Sequence, residues 1–135
     1  MSKWLYTTLI CLIAAIAICQ QNTFRCFNQD NNNAIKLYVE YKDDEPVSLK
    51  YKGQNSNILL VKKGKAKLED KTSTFSETYI EMINNQIQGK YIFTHSGNYD
   101  YITYIRKDGK KFKFTINIDD SLDPNGNGFR TTPCF

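Results

Sequence analysis

The single histidine of this chain, His95, stands beside Ser96 in the run YIFTHSGNYDY. A histidine next to a serine invites a nucleophile-and-base reading. Adjacent residues of a strand point to opposite faces, however, so the pair cannot form a hydrogen-bonded dyad if this run is extended. Asp43, Asp44 and Glu45 are consecutive and read as a solvated acidic turn. No Cys–His or Asp–His spacing marks a nucleophilic centre, so the expectation is a protein that acts by binding and not by catalysis.

Two further patterns could hold ligands. Asp123, Asn125 and Asn127, with Gly128 after them, match the first half of an EF-hand-type calcium loop, in which side-chain oxygens recur at alternate positions. The position that should carry a bidentate Glu is Cys134, so an Asx/Gly turn is the expected state and no metal or other cofactor is expected. Lysines (Lys62, Lys63, Lys65, Lys67, Lys107, Lys110, Lys111, Lys113) alternate with aromatics such as Tyr91, Phe93, Tyr99, Tyr101 and Tyr104. Such a surface could stack and neutralise a strand of nucleic acid. A formal net charge of only +4 argues against that partner, and the lysines read as outward strand positions that resist edge association.

The elements that would carry these residues are strands. The clearest stretch runs from Glu77 to Asp119 and reads as four strands. In KKFKFTINID, Phe112, Phe114, Ile116 and Ile118 alternate with Lys111, Lys113, Thr115 and Asn117, which places the apolar groups on one face. Asp108-Gly109 before it predicts a hairpin with a type I′ turn. Upstream, Thr23–Phe27, Ile35–Lys42, Val47–Lys52, Ile58–Val61 and Lys65–Glu69 read as further strands, with loops at Asp30–Asn33, Asp43–Pro46 and Thr72–Ser76. Glu77–Ile83 could be strand or short helix; its Thr, Tyr and Ile content favours strand. Residues 120–135 read as an irregular tail. The fold class expected is all-β, an antiparallel meander of about eight strands. A closed barrel is favoured over a sandwich because closure covers the apolar face and removes the edges.

The N-terminus reads as a leader. Met1–Lys3 is positive, and Trp4–Ile18 is apolar but short for a bilayer span. Residues 1–19 are expected to be a signal peptide cleaved before Gln20, with cleavage after Ala17 as the alternative. The membrane would be met only through this segment. Residues 20–135 would form one domain, exported to the periplasm or secreted. Of the four cysteines, Cys11 and Cys19 leave with the leader. Cys26 and Cys134 remain and are expected to oxidise in such a compartment. Their bridge would close a loop of roughly 100 residues, for which chain entropy gives about 4–5 kcal/mol.

Phe24-Arg25-Cys26, the late Cys134 and a Ser96-Gly97 turn together resemble the exported inhibitors of c-type lysozyme (the MliC/PliC type). The resemblance implies a small antiparallel barrel closed by a disulfide, with a serine loop and a lysine entering the enzyme's cleft. Ser96, Gly97, Tyr99 and Lys110 would be the partner-binding residues. The tyrosines Tyr99 and Tyr101 do not fall at the family spacing after Ser96-Gly97. Gly109 precedes Lys110, where the family has it following. The expected function is therefore an inhibitor or immunity-type protein against a cell-wall-degrading enzyme such as lysozyme. The alternative is a barrel carrying a small ligand lined by tyrosines.

Overall fold

The computed structural model describes residues 20–69 and 73–135. Residues 1–19, expected to be a leader and holding Cys11 and Cys19, lie outside the described residues. Eight strands follow in chain order: β1 (Thr23–Gln29), β2 (Asn32–Lys42), β3 (Glu45–Tyr51), β4 (Ile58–Glu69), β5 (Thr74–Ile83), β6 (Gln86–Ser96), β7 (Tyr99–Arg106) and β8 (Lys111–Asn117). Each pairs antiparallel with its neighbour, and β1 pairs with β8, so the sheet closes into a barrel. Closure gives every strand a neighbour on both sides, though β3 and β4 share only the pairs Ser48–Leu59 and Leu49–Ile58.

Period-two alternation explains the core. Leu37, Val39 and Tyr41 of β2, Leu49 of β3, Tyr91 of β6, Ile102 of β7 and Phe114 and Ile116 of β8 converge on the barrel axis with Phe27. The intervening lysines of β8 stay exposed. Phe24 and Cys26 point outward from β1, yet they are buried. The chain beyond β8 covers them: Phe24 pairs with Arg130, and its ring meets Tyr38 edge-on at 5.5 Å. Cys26 bonds to Cys134, with Cα atoms 6.0 Å apart and a sequence separation of 108. A bridged pair of this kind fits an oxidising compartment.

Four local expectations are corrected. Ile58–Val61 and Lys65–Glu69 are one strand, because Gly64 at φ 73 lets β4 continue through an irregularity in its pairing with β5. The loop expected at Thr72–Ser76 is mostly strand, since β5 begins at Thr74 and pairs Ser76 with Thr94. The strand expected to reach Asp119 ends at Asn117, whose side chain accepts from the Asp120 N–H and caps a single helical turn, α1 (Ile118–Ser121). The Asp108-Gly109 turn is not type I′, which needs positive φ at both central residues. Only Gly109 has it, at φ 89. Gly109 N–H donates to Arg106 O at 2.8 Å and Arg106 N–H to Lys110 O at 2.9 Å, which makes a longer turn with one left-handed glycine. Asp108 is fixed there by its own carboxylate, which accepts from the Arg106 guanidinium at 2.6 and 3.0 Å and from Lys110 N–H at 3.1 Å. The paired positive φ occurs instead at Asp43-Asp44 and Asn84-Asn85.

Candidate functional site

Antiparallel order sorts the turns between two mouths. The β2–β3, β4–β5 and β6–β7 connections and the chain after β8 share one, the tail-side mouth. The β1–β2, β3–β4, β5–β6 and β7–β8 connections share the other, the far mouth. Among the described residues each mouth holds one buried carboxylate on an inward strand position: Asp100 at the tail-side mouth, 9% exposed, and Glu81 at the far mouth, 5% exposed.

Asp100 sits opposite His95 in the β6–β7 register. One of its oxygens lies 2.6 Å from His95 Nδ1, and the other accepts from Arg25 Nη1 at 2.8 Å. The Arg25 guanidinium is held between two rings, 3.9 Å above Tyr41 and 4.2 Å from Phe129 of the tail. Its Nε is buried without a hydrogen-bond partner. Burial pushes the Tyr41 hydroxyl well above the usual phenol range, so it is neutral beside this pair. Next to them Lys62 bridges Glu77 at 3.2 Å and Glu45 at 3.3 Å, and the Tyr79 hydroxyl donates to Glu77 at 2.9 Å. The hollow left among Arg25, Tyr41, Phe93, His95 and Asp100 is about 70 Å³, room for water but not for a substrate. This mouth is a plug of paired charges.

Above the plug lies the turn singled out in the sequence. Ser96 pairs with Tyr99, and Gly97, at φ 60, fills the first of the two turn positions, where a type II′ hairpin takes glycine. The Ser96 hydroxyl lies 2.9 Å from that of Thr74 and faces away from His95, as adjacent strand residues must. Tyr99 and Tyr101 are exposed, with ring centroids 6.4 Å apart, and Phe75 is exposed beside His95. Lys110 does not join them. It belongs to the β7–β8 turn at the far mouth, separated from Tyr99 by the length of β7, about 25 Å at strand rise. The structure thus brings Ser96, Gly97 and Tyr99 together and leaves Lys110 on the opposite end.

The tail residues Asp123, Asn125 and Asn127 form a turn. Asp123 accepts from Asn125 N–H through its carboxylate at 3.0 Å and from Gly126 N–H through its carbonyl at 2.8 Å. Among the described residues no group of three or more His, Cys, Asp or Glu side chains is arranged to hold a metal ion.

The far mouth is built differently. Glu81 of β5 accepts from the Tyr104 hydroxyl at 2.6 Å. Tyr104 stacks on Tyr91 at 4.6 Å, and the Tyr91 and Tyr51 hydroxyls lie 3.0 Å apart. Burial pushes the Tyr51 phenol up to about 12 and those of Tyr91 and Tyr104 higher still, so all three stay protonated near neutral pH. Gly89 makes the arrangement possible. A Cβ there would meet Tyr104 ring and hydroxyl atoms at 2.6 and 2.7 Å, so only glycine lets the ring lie across β6. Between these side chains and the loop at 53–57 is an open cleft of about 740 Å³.

Neither carboxylate stands out in the sequence as a site. Glu77, Tyr79 and Glu81 share the inward face of β5 by period two, which was a usable signal, but acids in an alternating strand ordinarily mark the solvent face. Comparison of this chain with family models, with curated proteins and with solved structures gives no match.

Proposed function

We propose that this chain is an exported, non-catalytic binding protein that presents its tail-side mouth to a protein partner, a cell-wall-degrading enzyme such as lysozyme. The observation that carries the reading is the Ser96-Gly97 turn. It projects from a closed barrel, carries the exposed rings of Tyr99 and Tyr101 beside it, and is braced from beneath by Arg25, Asp100 and His95. A short rigid turn flanked by aromatics loses little entropy on docking, and aromatic anchors dominate protein interfaces. The Cys26–Cys134 bridge supports export, to the periplasm or beyond the cell. The resemblance to exported lysozyme inhibitors supports the same target class through Ser96 and Gly97, and Lys110 drops out of the contact.

The test is protection of a cell-wall suspension from a c-type lysozyme by the oxidised protein. Near-stoichiometric protection is expected, with Ser96→Ala combined with Tyr99→Ala weakening it at least tenfold, as loss of an interface anchor does. Lys110→Ala should leave protection unchanged. An inhibitor equally impaired by Lys110→Ala would contact its target elsewhere, and no protection at all would end the reading. A second reading, a carrier of a small ligand, is favoured by the open cleft at the far mouth.

A further inference from the structure

We infer that the far-mouth cleft binds a small organic cation presenting a primary ammonium group, with the Glu81 carboxylate as its counter-ion. The inference rests on the small-ligand reading and is independent of protein docking at the other mouth.

A carboxylate withdrawn from water needs a cation or several hydrogen bonds. Asp100 has both Arg25 and His95. Glu81 is the more buried of the two, and among the described residues no Lys, Arg or His forms an ion pair with it. Its one side-chain partner among the described residues is the Tyr104 hydroxyl, which donates to Oε2. The second carboxylate oxygen has no hydrogen bond from a described side chain and is open to the 740 Å³ cleft that Glu81 lines.

The remaining lining specifies the ligand's other features. The cleft wall includes Tyr51, Tyr91 and Tyr104, and the described lining contains no basic side chain. The hydroxyls of Tyr51 and Tyr91 present acceptor lone pairs near Glu81. An ammonium with three N–H donors can address the carboxylate and these hydroxyls together, whereas a quaternary ammonium cannot donate to them. An anion would meet a buried negative charge with no positive one to offset it. Ile58 and Leu59 at the cleft edge offer apolar contact to a short carbon chain.

The test uses full-chain protein, purified with its disulfide formed, and amide and tyrosine NMR shifts as the readout. Three probes of equal chain length are titrated: n-butylammonium, n-butanol and butyrate. Butylammonium should shift Tyr51, Glu81, Tyr91 and Tyr104 signals and leave those of His95 and Asp100 in place. Butanol and butyrate should bind at least about tenfold more weakly, the effect of a charge-assisted hydrogen bond in a desolvated site. Glu81→Gln, which keeps an acceptor for Tyr104, should remove that preference. Should this variant not fold, the comparison of probes on the natural chain decides alone. Butylammonium and butanol binding equally would overturn the ammonium inference and leave the carrier reading standing. No shift in the cleft with any probe would overturn both. Shifts confined to the tail-side mouth would place the ligand elsewhere and also overturn the inference.

Discussion

The two mouths of the barrel carry the same kind of group, a buried acid on an inward strand position, and treat it in opposite ways. At the tail-side mouth Asp100 is met by Arg25 and His95, the arginine is clamped between Tyr41 and Phe129, and the space that remains has room only for water. At the far mouth Glu81 has one phenol and an open cleft. The difference follows from chain layout. The segment beyond β8 folds over the tail-side mouth and brings Phe129 and the Cys26–Cys134 bridge with it, whereas the far mouth is closed only by turns. A carboxylate paired with cations builds a rigid platform. One without a cation leaves interaction energy for something that arrives later.

The largest expected effect is on the covered mouth. Replacing both Cys26 and Cys134 by Ser should destabilise the fold by up to about 4–5 kcal/mol, the loop-closure entropy of a long loop. Hydrogen exchange should rise first at β1 and the tail and leave the far mouth protected. Uniform loss of protection would show that the mouths are not energetically separate. Asp100→Asn removes the partner of a buried arginine and should cost about 3 kcal/mol in denaturant unfolding. Gly89→Ala forces Tyr104 off its seat across β6 and should cost about 2 kcal/mol. It should also release the Tyr104–Glu81 hydrogen bond, visible as a change in tyrosine absorbance.

Glu81→Gln sharpens the comparison most directly. With no counter-ion to strand, it should change stability by less than about 1 kcal/mol in either direction. A penalty as large as that of Asp100→Asn would mean that Glu81 is held by charge after all. The smallest effect is a control. Asn85→Gly in the β5–β6 turn and Asp44→Gly in the β2–β3 turn each relieve a left-handed non-glycine residue, at φ 60 and φ 61. Each should stabilise by about 0.5 kcal/mol. Equal gains at the two mouths would show that they differ in their buried charges and not in their turns.

Alternation in β2 and β8 made the strands legible, because Leu37, Val39, Phe114 and Ile116 recur at the period of a pleated sheet with one wet face. The meander was legible too, from turn residues between runs too short to cross over. The sites were not. Arg25, Asp100, Glu77 and Glu81 occupy inward positions, and in a strand pattern an inward charge looks like an outward one until pairing fixes the face. The Asp108-Gly109 turn was misjudged because nothing local says that the Asp108 side chain will be tied to Arg106 and Lys110 N–H. Gly89 reads only as a weak point in a strand; its purpose needs Tyr104, which lies across it from the next strand. Lys110 looked near Ser96 because sequence distance hides that a strand separates them end to end.

The seam between β1 and β8 joins Phe27 to Ile116 and Cys26 to Asn117, while each of the other pairings joins strands adjacent in the chain. The sheet can therefore grow by successive hairpins, but the first strand keeps a bare edge until residues 111–117 arrive. The β1–β8 pairing joins the strands farthest apart in sequence, so it carries the largest loop-closure entropy of the barrel's pairings. Cys134 follows β8 and reaches Cys26 only across that joined seam. Its oxidation consequently marks those chains in which the tail has already reached the first strand.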